Sequence, residues 1–342
     1  MGLLVILTGC PKTAKREEKI EPKGMVYFTF FDTVSYIYSY AGDSQKTFET
    51  RCQGTSDILN YYHSLFNIYY DFSGVNNLKT VNDNAGKAPV KVDRKLIDFL
   101  LYAKSLYEIT NGEMNVMMGS VLKIWHNCRE QASSAPSNAH IPTQDELSEA
   151  AKHTDISLLE IDEENLTVFI SDPNASIDVG ALGKGYATEK AAEYLRSVGA
   201  ESYVLNIGGN IRIIGHKKDG TGWGTGIKDP KDTSRYATII NIADTSCVTS
   251  GDYERYFSVD GKRYHHIIDK DTLMPSEHFS SVTIITADSG LADALSTALF
   301  SMSYEDGLDL LRRMSINVEV LWILPNGDML MSEGFKALQT TK

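Results

Sequence analysis

The chain has 342 residues, 42% of them hydrophobic and 23% charged, with a formal net charge of -12. This is globular composition, long enough for one large domain or two smaller ones. The acidic balance is the opposite of a nucleic-acid binder's basic footprint, and after the first ten residues no run of 18 apolar residues could cross a membrane.

In chain order, Met1 to Cys10 is a short apolar run ending in Leu7-Thr8-Gly9-Cys10. The ending resembles a bacterial lipobox, whose Cys is lipidated once the preceding peptide is removed, although the positive n-region of a signal is missing. A Cys at a ragged terminus is the alternative. Lys12 to Lys23 is charged and lacks apolar periodicity, as a tether does. The expectation is a signal remnant and tether over 1–24, lipidation at Cys10, and a globular domain over 25–342 held at the extracytoplasmic face of a bacterial membrane. Cys52, Cys128 and Cys247 lie far apart with no CxxC, so neither a zinc site nor a disulfide framework is indicated.

The aromatic and β-branched residues of Met25 to Tyr40 predict a strand or hairpin. Helical spacing predicts a helix within 44–68 and another over Arg94–Thr110, with a loop over 70–85 between them. Ala132 to His140 reads as a loop. Thr143 and Glu146 fit a capping box, so a helix should start there. Ser157–Ile161 and Leu166–Ile170 flank a turn and predict a hairpin. Ser176 to Gly180 reads as a short strand, and a helix is expected from Tyr186 to Val198. Strand-like runs follow at Tyr203–Ile207, Asn210–Gly215, Ala237–Ile242, Ser246–Ser250 and Ser281–Thr286. The last part alternates a helix, Tyr304–Met314, with strands at Val318–Leu324 and Asp328–Met331. Strands and helices without strict βαβ alternation indicate an α+β fold, with mixed or antiparallel sheets flanked by helices.

Four stretches carry residue types suited to chemistry. Gly290 to Phe300 reads as a helix of apolar and small residues that includes one carboxylate, Asp293, and one hydroxyl a turn later, Thr297. The pair shares a helix face and suits Mg²⁺, which takes a few hard oxygen ligands and keeps phosphate or water in its other positions. A polar stripe on a surface helix would show the same spacing. A buried Asp293 calls for a cationic partner. Asp178-Val-Gly-Ala-Leu-Gly-Lys184-Gly-Tyr186 is a glycine turn running into a helix start, where backbone N–H groups and a Lys favour phosphate. Its spacing is neither a Walker A nor a Rossmann motif, and a tight turn with a surface Lys fits equally. Asn206-Ile-Gly208-Gly209-Asn210 lies between two strands and reads as a bulge or hairpin turn. Thr249 to Phe257, followed by His265-His266-Ile-Ile-Asp269, could form a polar pocket wall with one His as general base. Adjacent strand residues point opposite ways; register with Ile268 puts His266 inward and His265 outward. No GxSxG elbow accompanies them. The aromatics of Phe28–Phe31 and Tyr69–Phe72 could stack on a planar ring, or simply fill the core.

Together these blocks resemble the ApbE family, the FAD:protein FMN transferases. The matching pieces are Asp178 to Ala187, Leu205-Asn-Ile-Gly-Gly-Asn210, Thr249-Ser-Gly-Asp-Tyr253, His266-Ile-Ile-Asp269 and Ala292-Asp-Ala-Leu-Ser-Thr297, with Thr110-Asn-Gly-Glu-Met-Asn115 in the same order. The resemblance implies Mg²⁺-dependent transfer of FMN from FAD to a Thr or Ser of an exported acceptor, such as a flavin-carrying subunit of a membrane redox complex, with release of AMP. By motif position it implies Mg²⁺ on Asp293, Thr297 and the Ala181 carbonyl. It implies FAD contacts from Asp178, Lys184, Glu113, Met114 and Asn115, flavin-stacking walls at Phe31 and Tyr70, and His266 as the base. Asn115 stands where the family usually has Asp, and Asp269-Lys-Asp-Thr-Leu273 departs from its usual run. An FAD pyrophosphatase, or a flavin-binding lipoprotein without turnover, would use the same pocket.

Overall fold

The computed structural model describes residues 21–314 and 316–340. Cys10 and most of the expected tether lie outside them.

β1 (Lys23–Tyr27) and β2 (Ser35–Ser39) pair as the aromatic hairpin. α1 (Gln45–Phe66) is capped by Ser44 and buries Phe48, Cys52, Leu59 and Leu65 at helical spacing. The stretch read as a loop contains a short helix, α2 (Leu78–Asp83), because Asn77 and Thr80 cap each other reciprocally. β3 (Val90–Lys91) and α3 (Arg94–Ile109) follow. α4 (Gly119–Ser134) is not foreseen from sequence. It buries Val121, Trp125, Cys128 and Ala132 at helical spacing, but nothing caps its start with a side chain. α5 (Gln144–Ala151) begins at the Thr143/Glu146 box, and β4 (Leu159–Asp162) pairs with β5 (Thr167–Ile170). Ser176–Gly180 is not a strand; a single bridge from Ser176 to Met118 is its only ladder contact among the described residues.

α6 (Gly183–Ser197) starts three residues before Tyr186, inside the glycine turn. Then come β6 (Tyr203–Ile207), β7 (Asn210–Ile214), β8 (Trp223–Asp229), β9 (Asp232–Ile242), β10 (Ser246–Gly251), β11 (Tyr256–Val259), β12 (Lys262–His265) and β13 (Ser281–Thr286). α7 (Ser289–Ser301), α8 (Tyr304–Arg313), β14 (Glu319–Ile323), β15 (Met329–Met331) and α9 (Glu333–Leu338) complete the described chain.

The main sheet runs β1-β2-β6-β7-β10-β13-β14-β15, antiparallel throughout. The α+β expectation therefore holds, in its antiparallel form. Alternate residues such as Ile37, Leu205, Val248 and Ile284 point to one face and join α1, α3, α6 and α7 in the main core. Trp223, Ile227, Ile240 and Phe335 pack against the other face, so the β8–β9 ribbon and α9 cover it. A satellite core of Trp125, Cys128, Leu147 and Phe257 joins α4 and α5 to the β11–β12 ribbon.

One irregularity positions the site. β7 and β10 pair only through Ser246–Arg212 and Cys247–Ile211, while β10 runs on to Gly251. From Val248 onward β10 has no strand on that side among the described residues. The sheet is split there, beside the Gly208-Gly209 turn.

Candidate active site

A cleft of about 1180 Å³ opens at this split. Its floor includes α7. That helix is buried almost throughout, against α6 on one side and β10 and β13 on the other, so its two polar groups are not a surface stripe. Asp293 is 5% exposed. No Lys or Arg lies within ion-pair distance of it among the described residues, so no basic side chain of those residues is the cation its burial calls for. Instead, the Gly185 N–H donates to Oδ2 at 2.8 Å. α6 has no side-chain cap of its own at Leu182, so a carboxylate from a second helix fills that role and sits at the positive end of the α6 dipole. Burial pushes the Asp293 pKa up; Lys184, the Gly185 N–H and Asn210 pull it back.

Gly185 makes the approach possible. A Cβ there would collide with the Ser289 carbonyl and Asp293 Cβ. α6 and α7 are also pinned by an ion pair that sequence reasoning did not single out. Glu189 accepts from Arg212 Nε at 2.8 Å and from the Ser289 N–H at 2.9 Å. Both side chains are buried, and the pair ties α6 to β7 and to the start of α7.

Around Asp293 the cleft is lined by oxygen groups. Thr297 Oγ1 lies 3.3 Å from Ser250 Oγ, and Ser250 bonds Ser296 at 2.7 Å. The α6 ladder begins with the Tyr186 N–H donating to Leu182, which leaves the Ala181 carbonyl outside it, at the cleft. Lys184 donates to the Gly180 carbonyl at 3.2 Å, and Asp178 accepts from the Gly180 N–H at 2.8 Å. Burial raises the Asp178 pKa, opposed by the Gly180 N–H and by the nearby His126, Arg255 and Lys184. Asn210 Oδ1 is buried with no partner, and no three His, Cys, Asp or Glu groups cluster among the described residues. One carboxylate, a hydroxyl, a carbonyl and an orphaned amide oxygen make an all-oxygen set. It fits Mg²⁺ completed by phosphate, and would suit zinc poorly.

β12 ends at His265, and His266 turns into the cleft. Its Nδ1 is buried without a partner, which leaves Nε2 as the nitrogen available to a substrate. Burial, and then the charges of Arg255, His265, Lys184 and Arg129, lower its pKa to about 3. His265 is not outward, as the register argument expected. It is buried with its ring edge on Phe300, its Nε2 2.8 Å from the Ser276 carbonyl and its Nδ1 accepting from the Ile267 N–H. Its strand belongs to a two-stranded ribbon rather than to the main sheet, and the strand's last residue is enclosed by Phe300 and Ser276.

Glu113, Met114 and Asn115 all line the cleft. Glu113 pairs with Lys270 at 3.3 Å, and burial raises its pKa. Asn115 uses both ends of its amide on the chain itself, donating to the Thr154 carbonyl and accepting from the Met117 N–H, each at 2.9 Å. Phe31 and Tyr70 do not line the cleft. Phe31 sits at φ 50 with its ring edge-on to His63 and its N–H donating to His63 Nδ1, while Tyr70 is 68% exposed. Of this aromatic stretch it is Tyr69 that lines the cleft, its ring 5.4 Å from His126. Asn67 Oδ1 accepts from the N–H groups of both tyrosines, a tight turn that sends neighbouring rings to different places. Their adjacency in sequence could not say which would enter. Arg129 and Arg255 also line the cleft without having been foreseen; isolated arginines carry no signal in one sequence.

The sequence profile of the ApbE family matches residues 33–322. The chain belongs to the ApbE family. Its curated relatives include the FAD:protein FMN transferase of Treponema pallidum, 34% identical over 272 residues (75% of this chain, 73% of that one). The FAD:protein FMN transferase of Klebsiella pneumoniae is 31% identical over 270 residues, 77% of this chain and 81% of that one. Among solved structures, the ApbE protein of Thermotoga maritima superposes with a TM-score of 0.81 at 31% identity, covering 94% of this chain and all 100% of that one. The flavin transferase ApbE of Vibrio cholerae gives 0.76 at 26% identity, covering 93% of this chain and 99% of that one. These matches make the split sheet and its cleft part of an ApbE fold.

Proposed function

We propose that this chain is an FAD:protein FMN transferase, moving FMN from FAD to a Thr or Ser hydroxyl of an acceptor protein and releasing AMP. The observation that carries the reading is the convergence, in one cleft of a chain from this family, of Asp293, Thr297, the Ala181 carbonyl, Lys184 and His266.

The chemistry follows from the groups in place. FAD brings a diphosphate, and Lys184 at the α6 start offers a fixed cation to it, next to the positive end of the helix dipole. Asp293, Thr297 and the Ala181 carbonyl would hold Mg²⁺, which when bound neutralises charge on the diphosphate oxygens. The acceptor oxygen forms a bond to the flavin-side phosphorus, the P–O bond to the adenylate side breaks, and AMP departs with that oxygen. The acceptor's proton goes to Nε2 of His266. In the empty cleft that imidazole is neutral, so it has a free lone pair, but surrounding cations make it a weak base. A bound diphosphate dianion offsets those cations and raises its basicity, coupling proton acceptance to the presence of FAD. Tyr69, in place of Tyr70, is one of the aromatic groups available to a ring in the cleft.

The reading extends to place and partner. Leu7-Thr8-Gly9-Cys10 supports lipidation at Cys10 and anchoring at the extracytoplasmic face of a bacterial membrane, where exported flavin-carrying subunits would be the acceptors. No described helix is long and apolar enough to cross a membrane.

The test is incubation of the protein with FAD, Mg²⁺ and a peptide carrying an Asp followed by a Thr-Gly-Ala-Thr run. A fluorescent flavin adduct on the peptide, with one AMP released per adduct, is expected. Free FMN and AMP without adduct would make the protein a pyrophosphatase instead. FAD binding with no product at all would leave a flavin carrier.

A further inference from the structure

The cleft has a wall that the chemistry above does not use. Six consecutive residues of β8, Trp223 to Lys228, line it. A strand that turns a face to a cavity contributes alternate residues, whereas one that contributes every residue turns its edge. β8 pairs with β9 alone, through one edge. The far edge of β9 is closed by Gln339 and Thr340. Among the described residues no backbone group of Trp223–Lys228 bonds outside the ribbon, so the second edge of β8 presents an unpaired row of N–H and C=O groups to the cleft.

The face of β8 that adjoins this edge is open at Gly224, where a Cβ would meet nothing within 4 Å, and covered at Gly226 by the Tyr236 ring; Gly209, on the turn at the sheet split, is likewise open. The cleft wall contributed by β2 and β6 is aromatic and apolar: Tyr36 and Tyr38 stack with centroids 5.9 Å apart, and Val204 lies beside them. The same cavity is continuous with His266 and Asp293.

Resting on the transferase reading, we propose that the β8 edge is the acceptor's docking site. An extended segment of the acceptor polypeptide adds to β8 as a further strand and carries its Thr or Ser to His266 and Asp293. FAD has no row of alternating donors and acceptors at strand spacing, whereas any polypeptide has one. A single extended strand is also the narrowest form in which a protein can bring a hydroxyl into a cleft. Recognition through the main chain demands little of the acceptor's sequence, and it leaves the hydroxyl's position to strand register.

The experiment uses the full chain with FAD, Mg²⁺ and a synthetic peptide carrying an Asp followed by a Thr-Gly-Ala-Thr run. Hydrogen exchange at Trp223–Lys228 should slow at least about tenfold when the peptide is added. Gly224→Val, which fills open space without an internal clash, should raise the peptide KM by about tenfold or more, the equivalent of ~1.4 kcal/mol, with FAD affinity unchanged by flavin fluorescence. Exchange at β8 that is unaltered while the peptide is being flavinylated overturns the docking site and leaves the transferase standing, whatever the variant does. A wild-type chain that never modifies the peptide overturns both.

Discussion

Asp293 has two roles that one substitution would confuse. It terminates α6 by accepting from Gly185, and it is the carboxylate a cation would need. Asp293→Ala removes both. Asp293→Asn keeps an oxygen for the Gly185 N–H and removes only the charge. We expect the Asn variant to lose at least about 100-fold in kcat/KM for transfer. Its melting temperature should equal or exceed that of the wild type, because burial raises the carboxyl's pKa and the ionised group therefore costs stability at neutral pH. A destabilised but active Asn variant would reverse the assignment. His266 makes a different prediction. Its folded pKa of about 3 lies below the ordinary histidine value, so between about pH 6.5 and 3 the unfolded chain binds a proton that the folded chain does not. Its share of stability is complete above about pH 6.5 and lost as pH falls through that window. Urea midpoints measured from pH 7 down to pH 4 should fall less steeply in His266→Gln than in the wild type.

At the scale of elements, the contact between α6 and α7 decides whether the site exists. Gly185→Ala puts a methyl into the Ser289 carbonyl and Asp293, so the helices must part. A cost of about 1–3 kcal/mol is expected, with transfer impaired beyond what the loss of folded protein explains. Chemical denaturation paired with activity per folded molecule measures both. Glu189→Gln leaves the Arg212 guanidinium buried without its counter-charge and weakens the tie to Ser289. A loss of about 3–5 kcal/mol is expected from denaturation midpoints. Elements were legible in sequence where pattern and punctuation agreed. The Thr143/Glu146 box marks α5, and the alternation of Tyr203–Ile207 marks β6. They were illegible where one signal was missing. α4 has the apolar spacing but no cap, and α2 has a reciprocal cap hidden among Asn and Gly residues. β8 carries two glycines in seven residues, which weakens a strand signal; one packs under the Tyr236 ring and the other leaves its face open.

For the whole molecule, the contacts that hold the site's elements together run between protein groups. The Gly185–Asp293 bond, the Glu189–Arg212 pair and the cores on both faces of the sheet are all protein–protein contacts. Chelation with EDTA should therefore abolish transfer, and added Mg²⁺ should restore it. The melting temperature of the FAD-free chain should meanwhile shift by no more than about 2 °C, since a ligand stabilises only to the extent that it binds the folded state. A large fall in melting temperature would make the cation structural.

The sequence by itself determined the helices and strands with clean periodicity and the order of the site blocks. It also determined the pairing of Asp293 with Thr297 on one helix turn, because these properties depend on neighbours a few residues apart. Tertiary structure decided the rest. It set Asp293 against the start of a second helix, and it put Tyr69 rather than Tyr70 at the cleft. It enclosed His265 and turned His266 into the cleft, and it opened the sheet between β7 and β10. Each of these outcomes depends on which backbone groups, more than a hundred residues apart in the case of Gly185 and Asp293, share a buried space, and no local pattern records that.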